Sequence, residues 1–134
     1  MLAVGLFFSA TAHAADATGV WSTVENKSHV KIELCGDKLC GRIIWLKEPN
    51  DDEGKPKLDK NNTDAELRKR PIIGLKLLSG FVKDGKGGWD DGEIYNPEDG
   101  KTYGSSMELD GTDKLDVKGC VLFFCKSQVW TRVE

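Results

Sequence analysis

The sequence predicts an all-β protein of one domain, an eight-stranded antiparallel up-and-down barrel with one short helix. Three observations predict this class. Apolar and polar residues alternate along most of the chain, turn-forming residues separate these runs at short intervals, and a tryptophan segment stands at each end. We expect the end segments, Gly19-Val20-Trp21 and Trp130-Thr131-Arg132, to pair as strands and close the sheet.

The first 14 residues are predicted to be a secretory signal. They contain no Asp, Glu, Lys or Arg, they include the apolar run Leu2–Phe8, and they end in Ala12-His13-Ala14. This is the pattern of a signal's apolar region and cleavage site, although the usual positive N-terminal charge is missing. The barrel domain is therefore expected to be 15–134, in a protein that is exported from the cell. The apolar run is too short to span a bilayer, which takes about 20 apolar residues.

The charge of the chain disfavours two classes of binding partner. The formal net charge is -3, and Lys and Arg are scattered without forming a basic stripe. A mildly acidic protein of this kind is not expected to bind nucleic acid or an anionic membrane surface.

The first hairpin is predicted around the turn Gly36-Asp37-Lys38. Apolar residues alternate with polar ones before it in His29–Cys35 and after it in Leu39–Leu46, as in half-buried antiparallel strands. Cys35 and Cys40 both fall on the polar side of this hairpin. We therefore expect both thiols to point outward, where a bridge across the two strands is feasible.

The four cysteines form two pairs of equal spacing, Cys35/Cys40 and Cys120/Cys125. An exported chain reaches an oxidising compartment, so we expect disulfides, with local pairing favoured and cross-pairing as the alternative. A structural zinc site with four cysteines is the rival interpretation, but the spacing is wider than that of zinc fingers. No metal site is predicted.

A long polar loop is predicted over residues 47–63, and loops of this length commonly act as lids or stay mobile. The segment Thr63-Asp64-Ala65-Glu66 fits a capping box, which predicts a short helix. Pro71 is expected to end that helix near Arg70.

Five further strands are predicted after the helix. Turns are expected at 85–88 and at Asp99-Gly100. The strands are predicted around Ile72–Val82, Trp89–Asn96, Tyr103–Leu109, Leu115–Val117 and Ser127–Val133. The outward positions carry Lys, Arg and Glu, which excludes an outer-membrane barrel with its apolar outer band.

The sequence contains little that indicates catalysis. His29 is the only histidine after residue 14, which excludes a zinc site built from several histidines, and no Ser stands in a nucleophile-elbow motif. Most carboxylates fall in predicted turns. We therefore expect no enzyme activity and no cofactor; a hydrolase or isomerase built on paired carboxylates is the less favoured alternative.

The aromatic residues are the remaining candidates for a functional role. Trp21 and Trp130 are expected to plug the closed end of the barrel, with Arg132 against Trp21 in a cation–π contact. A ligand cavity at the open end is predicted to be lined by Trp45, Tyr95, Tyr103 and Met107. Arg70 is predicted to meet the polar end of the ligand. The open alternative is that these side chains fill the barrel completely.

Several segments together resemble a family of small secreted bacterial proteins, domain of unknown function 2147. The segments that carry the resemblance are Gly19-x-Trp21, Cys35-Gly36-x-x-Leu39-Cys40-Gly41-x-Ile43-x-Trp45, Arg70-Pro71-Ile72-x-Gly74, Trp89-x-x-Gly92-x-Ile94-Tyr95-x-Pro97, Asp99-Gly100-Lys101-x-Tyr103 and Cys120-x4-Cys125-x-Ser127-Gln128-x-Trp130-Thr131-Arg132. The resemblance implies a lipocalin-like barrel and export to the periplasm or beyond. Gly-x-Trp on the first strand with a late Arg is also similar to the lipocalin signature. The family has no established catalytic residues, so none is transferred.

These observations lead to one expected function and one main rival. We expect an exported, non-enzymatic protein, monomeric or homodimeric, that binds a small apolar or amphipathic molecule in the cell envelope. The rival is a protein-interaction or stress-response module of the envelope whose barrel is filled.

Overall fold

The computed structural model describes Gly5 and residues 16–134. The predicted signal, residues 1–14, lies outside these described residues apart from Gly5, and it stays a prediction. Eight strands follow in the described part of the chain: β1 (Gly19–Ser22), β2 (Ser28–Cys35), β3 (Lys38–Leu46), β4 (Lys76–Lys83), β5 (Gly88–Asn96), β6 (Lys101–Asp110), β7 (Lys114–Val121) and β8 (Phe124–Arg132).

The strands form a closed barrel in which each one pairs with its neighbours in the sequence. The closing pair is β1 with β8, and it matches Trp21 with Arg132 and Ser22 with Thr131. All pairings between neighbouring strands are antiparallel. The predicted eight-stranded up-and-down barrel is therefore confirmed, including its closure by the terminal strands.

The two ends of the barrel differ in their connections. We call "rim" the end that carries the connections 23–27, 47–75, 97–100 and 122–123. We call "base" the opposite end, which carries the connections 36–37, 84–87 and 111–113 and the residues that flank β1 and β8. Large apolar side chains fill the interior on the base side, among them Trp21, Ile32, Phe81, Leu115 and Trp130. Phe81 packs directly on Gly92, where an added Cβ would overlap the phenyl ring.

The predicted helix is reduced to a single 3-10 turn, Leu67–Lys69. Side chains upstream of it form local turns, because Asn62 Oδ1 accepts the Asp64 amide and Asp64 Oδ1 accepts the Glu66 amide. Such bonds compete with helical ones, and Pro71 leaves no room for the helix to continue. A second 3-10 turn covers Val24–Asn26. Of the helices in the described residues, none has the length and apolar character to cross a bilayer.

Two disulfides join Cys35 to Cys40 and Cys120 to Cys125, so the favoured local pairing is confirmed. The pairing of Glu33 with Cys40 and of Cys35 with Lys38 places both cysteines on one face of the hairpin. Cys35 is exposed, whereas Cys40 is 2% exposed.

Candidate functional site

The interior of the barrel changes character along β8. Trp130 is 1% exposed and belongs to the core, and alternation places Gln128, Lys126 and Phe124 on the same face of the strand. The register with β7 is unbroken, so this alternation holds along the whole hairpin. Yet Gln128 and Lys126 are exposed and Phe124 is 82% exposed. The inner face is therefore packed near the base and open to solvent near the rim.

We call this open region the rim cup, defined by the inner-face positions Tyr103, Ser105, Gly119, Phe124, Lys126 and Gln128. Gly119 leaves space in its wall, since a Cβ there would be 3.4 Å from Ile94 Cγ2 and 3.8 Å from Tyr103 Cβ. At the floor of the cup, Trp130 Nε1 donates a hydrogen bond to Gln128 Oε1 over 3.1 Å. The cup thus combines aromatic walls with an amide and a single ammonium group.

A cavity of about 380 Å³ lies on the outer face of the barrel. Strand pairing matches Tyr95 with Thr102 and Ile94 with Tyr103, so Tyr95 and Tyr103 lie on opposite faces of the sheet. The cavity lies between this outer face and the segment 47–75, which we call the strap. Its lining is mostly polar: Asn62, Thr63, Asp64, Leu67, Arg70, Lys76, Leu77, Ser79, Glu93, Tyr95, Gly100 and Thr102.

The strap is fastened to the sheet by a buried carboxylate. Asp59 is 0% exposed and accepts hydrogen bonds from Arg70 Nε at 2.9 Å, Tyr95 Oη at 2.5 Å and Asn62 Nδ2 at 2.9 Å. The Arg70 guanidinium also lies 5.3 Å from the centre of the Tyr95 ring. We call Asp59, Asn62, Arg70 and Tyr95 the clasp. A buried charge needs this kind of full satisfaction, and it holds the strap in a defined place.

A further contact fixes the strap beside the β5–β6 turn. Asn61 Nδ2 donates to the carbonyl oxygens of Pro97 and Glu98, both at 3.1 Å. Gly100 is required at this contact because its φ is +71° and an added Cβ would overlap the Asn61 carbonyl oxygen. The long loop predicted to be a lid or a mobile segment is therefore anchored against the barrel wall.

The structure does not bring the predicted ligand-contacting residues into one cavity. Met107 is buried in the core, and Trp45 is 38% exposed near the rim, where its ring lies 4.3 Å from that of His29. Tyr95 lies on the outer face beneath the strap, whereas Tyr103 lies in the rim cup. Arg70 pairs with Asp59 through Nε and lines the outer cavity together with Tyr95, away from the rim cup. Alternation within each strand was visible in the sequence, but the register that relates one strand to the next was not.

The three residues predicted to close the barrel meet at the base. Trp21 and Trp130 are fully buried, and the Arg132 guanidinium lies 4.3 Å from the centre of the Trp21 ring. Arg132 also donates hydrogen bonds to the carbonyl oxygens of Thr112, Thr18 and Asp16. Trp21 Nε1 donates to the Ala17 carbonyl oxygen at 2.8 Å. These contacts seal the base.

The sequence carries a signal for the rim cup but none for the role of Asp59. The rim cup could have been found by extending the Trp130 and Gln128 face of the last strand to Lys126 and Phe124. Asp59 carries no such signal, since it is one acidic residue in a long polar run and its partner Tyr95 lies 36 residues away.

The environments of the two tyrosines predict their titration. Burial, followed by the hydrogen bond to Asp59, raises the pKa of Tyr95 above its ordinary value of 10.0, and the hydrogen bond to Asp99 raises the pKa of Tyr103. The chain has no other tyrosine. We expect tyrosinate absorbance of the native protein to appear at higher pH than that of the protein in denaturant. The stability that the neutral phenols contribute is present below about pH 10 and is lost as pH rises through the native pKa values.

Single substitutions show which part of the titration comes from Tyr95 and which from Tyr103. Tyr95→Phe should leave one native transition, and Asp99→Ala should shift only the transition of Tyr103 toward lower pH. A native curve that coincides with the denatured one would contradict both hydrogen bonds.

The described part of the chain places two carboxylates in one cavity but forms no cluster suited to a metal ion. Among the residues described, no group of three or more His, Cys, Asp or Glu side chains is placed to hold a metal ion. Two carboxylates, Asp64 and Glu93, line the outer cavity together.

Comparisons with known proteins agree with this architecture. The family model described as "Uncharacterized protein conserved in bacteria (DUF2147)" matches residues 19–132. A similar solved structure is that of the Helicobacter pylori protein HP1028, which is described as belonging to the lipocalin family. The two chains are 27% identical with a TM-score of 0.78, over 90% of this chain and 84% of that one. A search of curated proteins finds no match.

Proposed function

Because the chain belongs to the bacterial family DUF2147 and has a lipocalin-like fold, we propose that it is an exported, non-enzymatic binding protein for a small amphipathic molecule. A closed barrel of eight strands is wide enough to hold one small ligand in its interior, as lipocalins do. Two disulfides and the signal-like residues 1–14 support a location in the periplasm or outside the cell.

The observation that carries this proposal is the rim cup. Phe124, Lys126 and Gln128 continue the core face of β8 but stay exposed, which leaves their side chains accessible to a small guest at the rim. Tyr103 and Phe124 would contact apolar parts of the ligand. Lys126 would pair with an acidic head group, as ammonium groups do with carboxylates and phosphates. We assign the ligand to these residues in place of Trp45, Tyr95, Met107 and Arg70.

The chemistry of the cup favours binding over catalysis. Its aliphatic hydroxyl group, Ser105 Oγ, donates a hydrogen bond to the Lys118 carbonyl oxygen at 2.6 Å, an acceptor that cannot act as a general base, and the Tyr103 phenol donates to Asp99. The one histidine of the described chain, His29, stacks on Trp45 and has Asn26 Oδ1 2.9 Å from its Nε2. The carboxylates Asp64 and Glu93 belong to the outer cavity and are the groups that an enzymatic alternative would have to use.

Two glycine substitutions test the cup with a matched control. Gly119→Phe places a ring in the cup at a position with ordinary contacts and no left-handed backbone, and we expect at least a ten-fold loss of affinity for an anionic fluorescent amphiphile. Gly104→Phe adds the same ring on the outer face of the adjacent strand, where no atom lies within 4 Å, and should leave affinity unchanged.

Two further measurements vary the charge of the probe's head group and search for the native ligand. Lys126→Gln should weaken binding of the anionic amphiphile more than that of a neutral one of equal chain length. Native mass spectrometry of protein purified from its own envelope should find a small molecule bound. Equal affinities for the Gly119→Phe and Gly104→Phe variants would contradict the cup as the binding site. Specific protein partners in an envelope pull-down, with no bound small molecule, would favour the interaction module.

A further inference from the structure

The turn between β7 and β8 exposes three large apolar side chains in succession. Leu122 is 88% exposed, Phe123 is 97% exposed and Phe124 is 82% exposed. We call Leu122 and Phe123 the apolar tip; Phe124 adjoins it and belongs to the rim cup. Folded proteins rarely leave consecutive large apolar residues so fully in water, and such exposure marks an interaction site.

The backbone of the tip adopts a conformation that costs conformational free energy for a residue with a side chain. Val121 pairs with Phe124, which leaves Leu122 and Phe123 as a two-residue turn. Leu122 has φ +53°, a conformation that strongly favours glycine at the first position of such a turn. The Cys120–Cys125 disulfide closes the hairpin directly beneath, at a pair of residues whose Cα atoms are 4.1 Å apart. A covalent link therefore holds a turn that glycine would form more easily.

The hairpin that carries the tip differs in charge from the whole chain. The hairpin segment 117–128 contains Lys118 and Lys126 and no Asp or Glu, while the chain carries a net charge of -3. Lysines beside an apolar tip complement anionic lipid head groups, and this local attraction acts within a Debye length of about 10 Å. The net charge of the whole chain, which disfavours binding to an anionic membrane, does not describe this hairpin.

We propose that the apolar tip inserts into the interface of an anionic phospholipid bilayer and docks the rim of the barrel on that membrane. A protein partner is the less suitable occupant, because a stable protein interface takes about 800 Å² from each side and the tip is a narrow projection. Apolar side chains at a point, flanked by lysines, are instead the arrangement that interfacial lipid binding uses. The site is separate from the rim cup, although it lies at the same end of the barrel.

Vesicle flotation tests this docking with a matched control at the other end of the barrel. The unaltered protein should float with vesicles of phosphatidylglycerol and phosphatidylethanolamine. The double variant Leu122→Ser, Phe123→Ser should bind at least ten-fold more weakly. Leu34→Ser should bind as the unaltered protein does, because Leu34 is 66% exposed in the base hairpin beside the Cys35–Cys40 disulfide. Circular dichroism should show that all variants keep the fold.

Two further measurements identify the lipid contact. Lys118→Gln should reduce binding to these vesicles about five-fold and have little effect on neutral phosphatidylcholine vesicles. In the Phe123→Trp variant, vesicles should shift the tryptophan emission to the blue, and the shift should be larger than any seen in the unaltered protein. Loss of binding at high salt alone, with no effect of the double serine variant, would overturn the proposal, and so would a failure of the unaltered protein to float.

The same variants separate membrane docking from ligand binding and from self-association. Gly119→Phe, which fills the rim cup, should bind vesicles with the same affinity as the unaltered protein. A failure of membrane docking can therefore be distinguished from a failure of ligand binding. Self-association in light scattering that the double serine variant abolishes, without vesicle binding, would assign the tip to a second copy of the chain and overturn the lipid proposal.

Discussion

Replacing Asp59 with alanine is expected to destabilise the barrel by about 3 kcal/mol, the lower end of the range for breaking a buried ion pair. The change leaves Arg70 Nε, Tyr95 Oη and Asn62 Nδ2 without the acceptor that they share. The lower end applies because the Arg70 side chain stays 38% exposed and water can solvate part of its charge. Urea denaturation, followed by tryptophan fluorescence, measures the change in unfolding free energy.

The matched control for this change is Asp52→Ala. Asp52 is an exposed carboxylate of the same strap, and its removal should alter stability by less than about 0.5 kcal/mol. The loss in Asp59→Ala should be accompanied by faster proteolysis within 47–75, because the clasp holds that segment on the sheet. If proteolysis and stability both match those of Asp52→Ala, the clasp does not hold the strap.

Replacing Trp21 with alanine is expected to cost about 3–5 kcal/mol, the range for a large aromatic residue lost from a core. Trp21 is fully buried in the base, its indole nitrogen donates to the Ala17 carbonyl oxygen, and Arg132 lies over its ring. The cavity left behind lies at the seam between β1 and β8, where only two residue pairs join the strands. Thermal and urea denaturation should both show the loss.

Trp45→Ala is the control that separates the base from the rim. Trp45 is 38% exposed and packs on His29, so its removal should cost under about 1 kcal/mol. Equal losses for the two tryptophans would contradict the view that the base is packed and the rim open.

Much of the fold could be predicted from the sequence because its determinants are local. Alternation in strands such as His29–Cys35, and turn residues such as Gly36 and Gly100, specify antiparallel neighbours that lie close along the chain. In an up-and-down barrel nearly every pairing joins consecutive strands, so local signals account for most of the topology. The local disulfides follow from the same hairpins. Local signals do not always decide, because the helix predicted over 63–70 does not form. Hydrogen bonds from backbone amides to the Asn62 and Asp64 side chains replace the predicted capping box.

The site was harder to predict because it depends on register and on distant partners. Tyr95 and Tyr103 stand on neighbouring strands, and only the pairing of Tyr95 with Thr102 places them on opposite faces. A bulge in β5 between Trp89 and Gly92, with Asp91 at φ +61°, shifts that register. Neither effect leaves a periodic signal in the sequence.

By itself the sequence determined the barrel, its closure by terminal tryptophan strands and its two local disulfides, because these depend on side-chain period and short-range turns. Only the tertiary structure decided which half of the interior is packed, where the strap lies and that Asp59 holds it there. Those features arise from which side chains of different strands meet, and that is a property of packing in space rather than of any one segment.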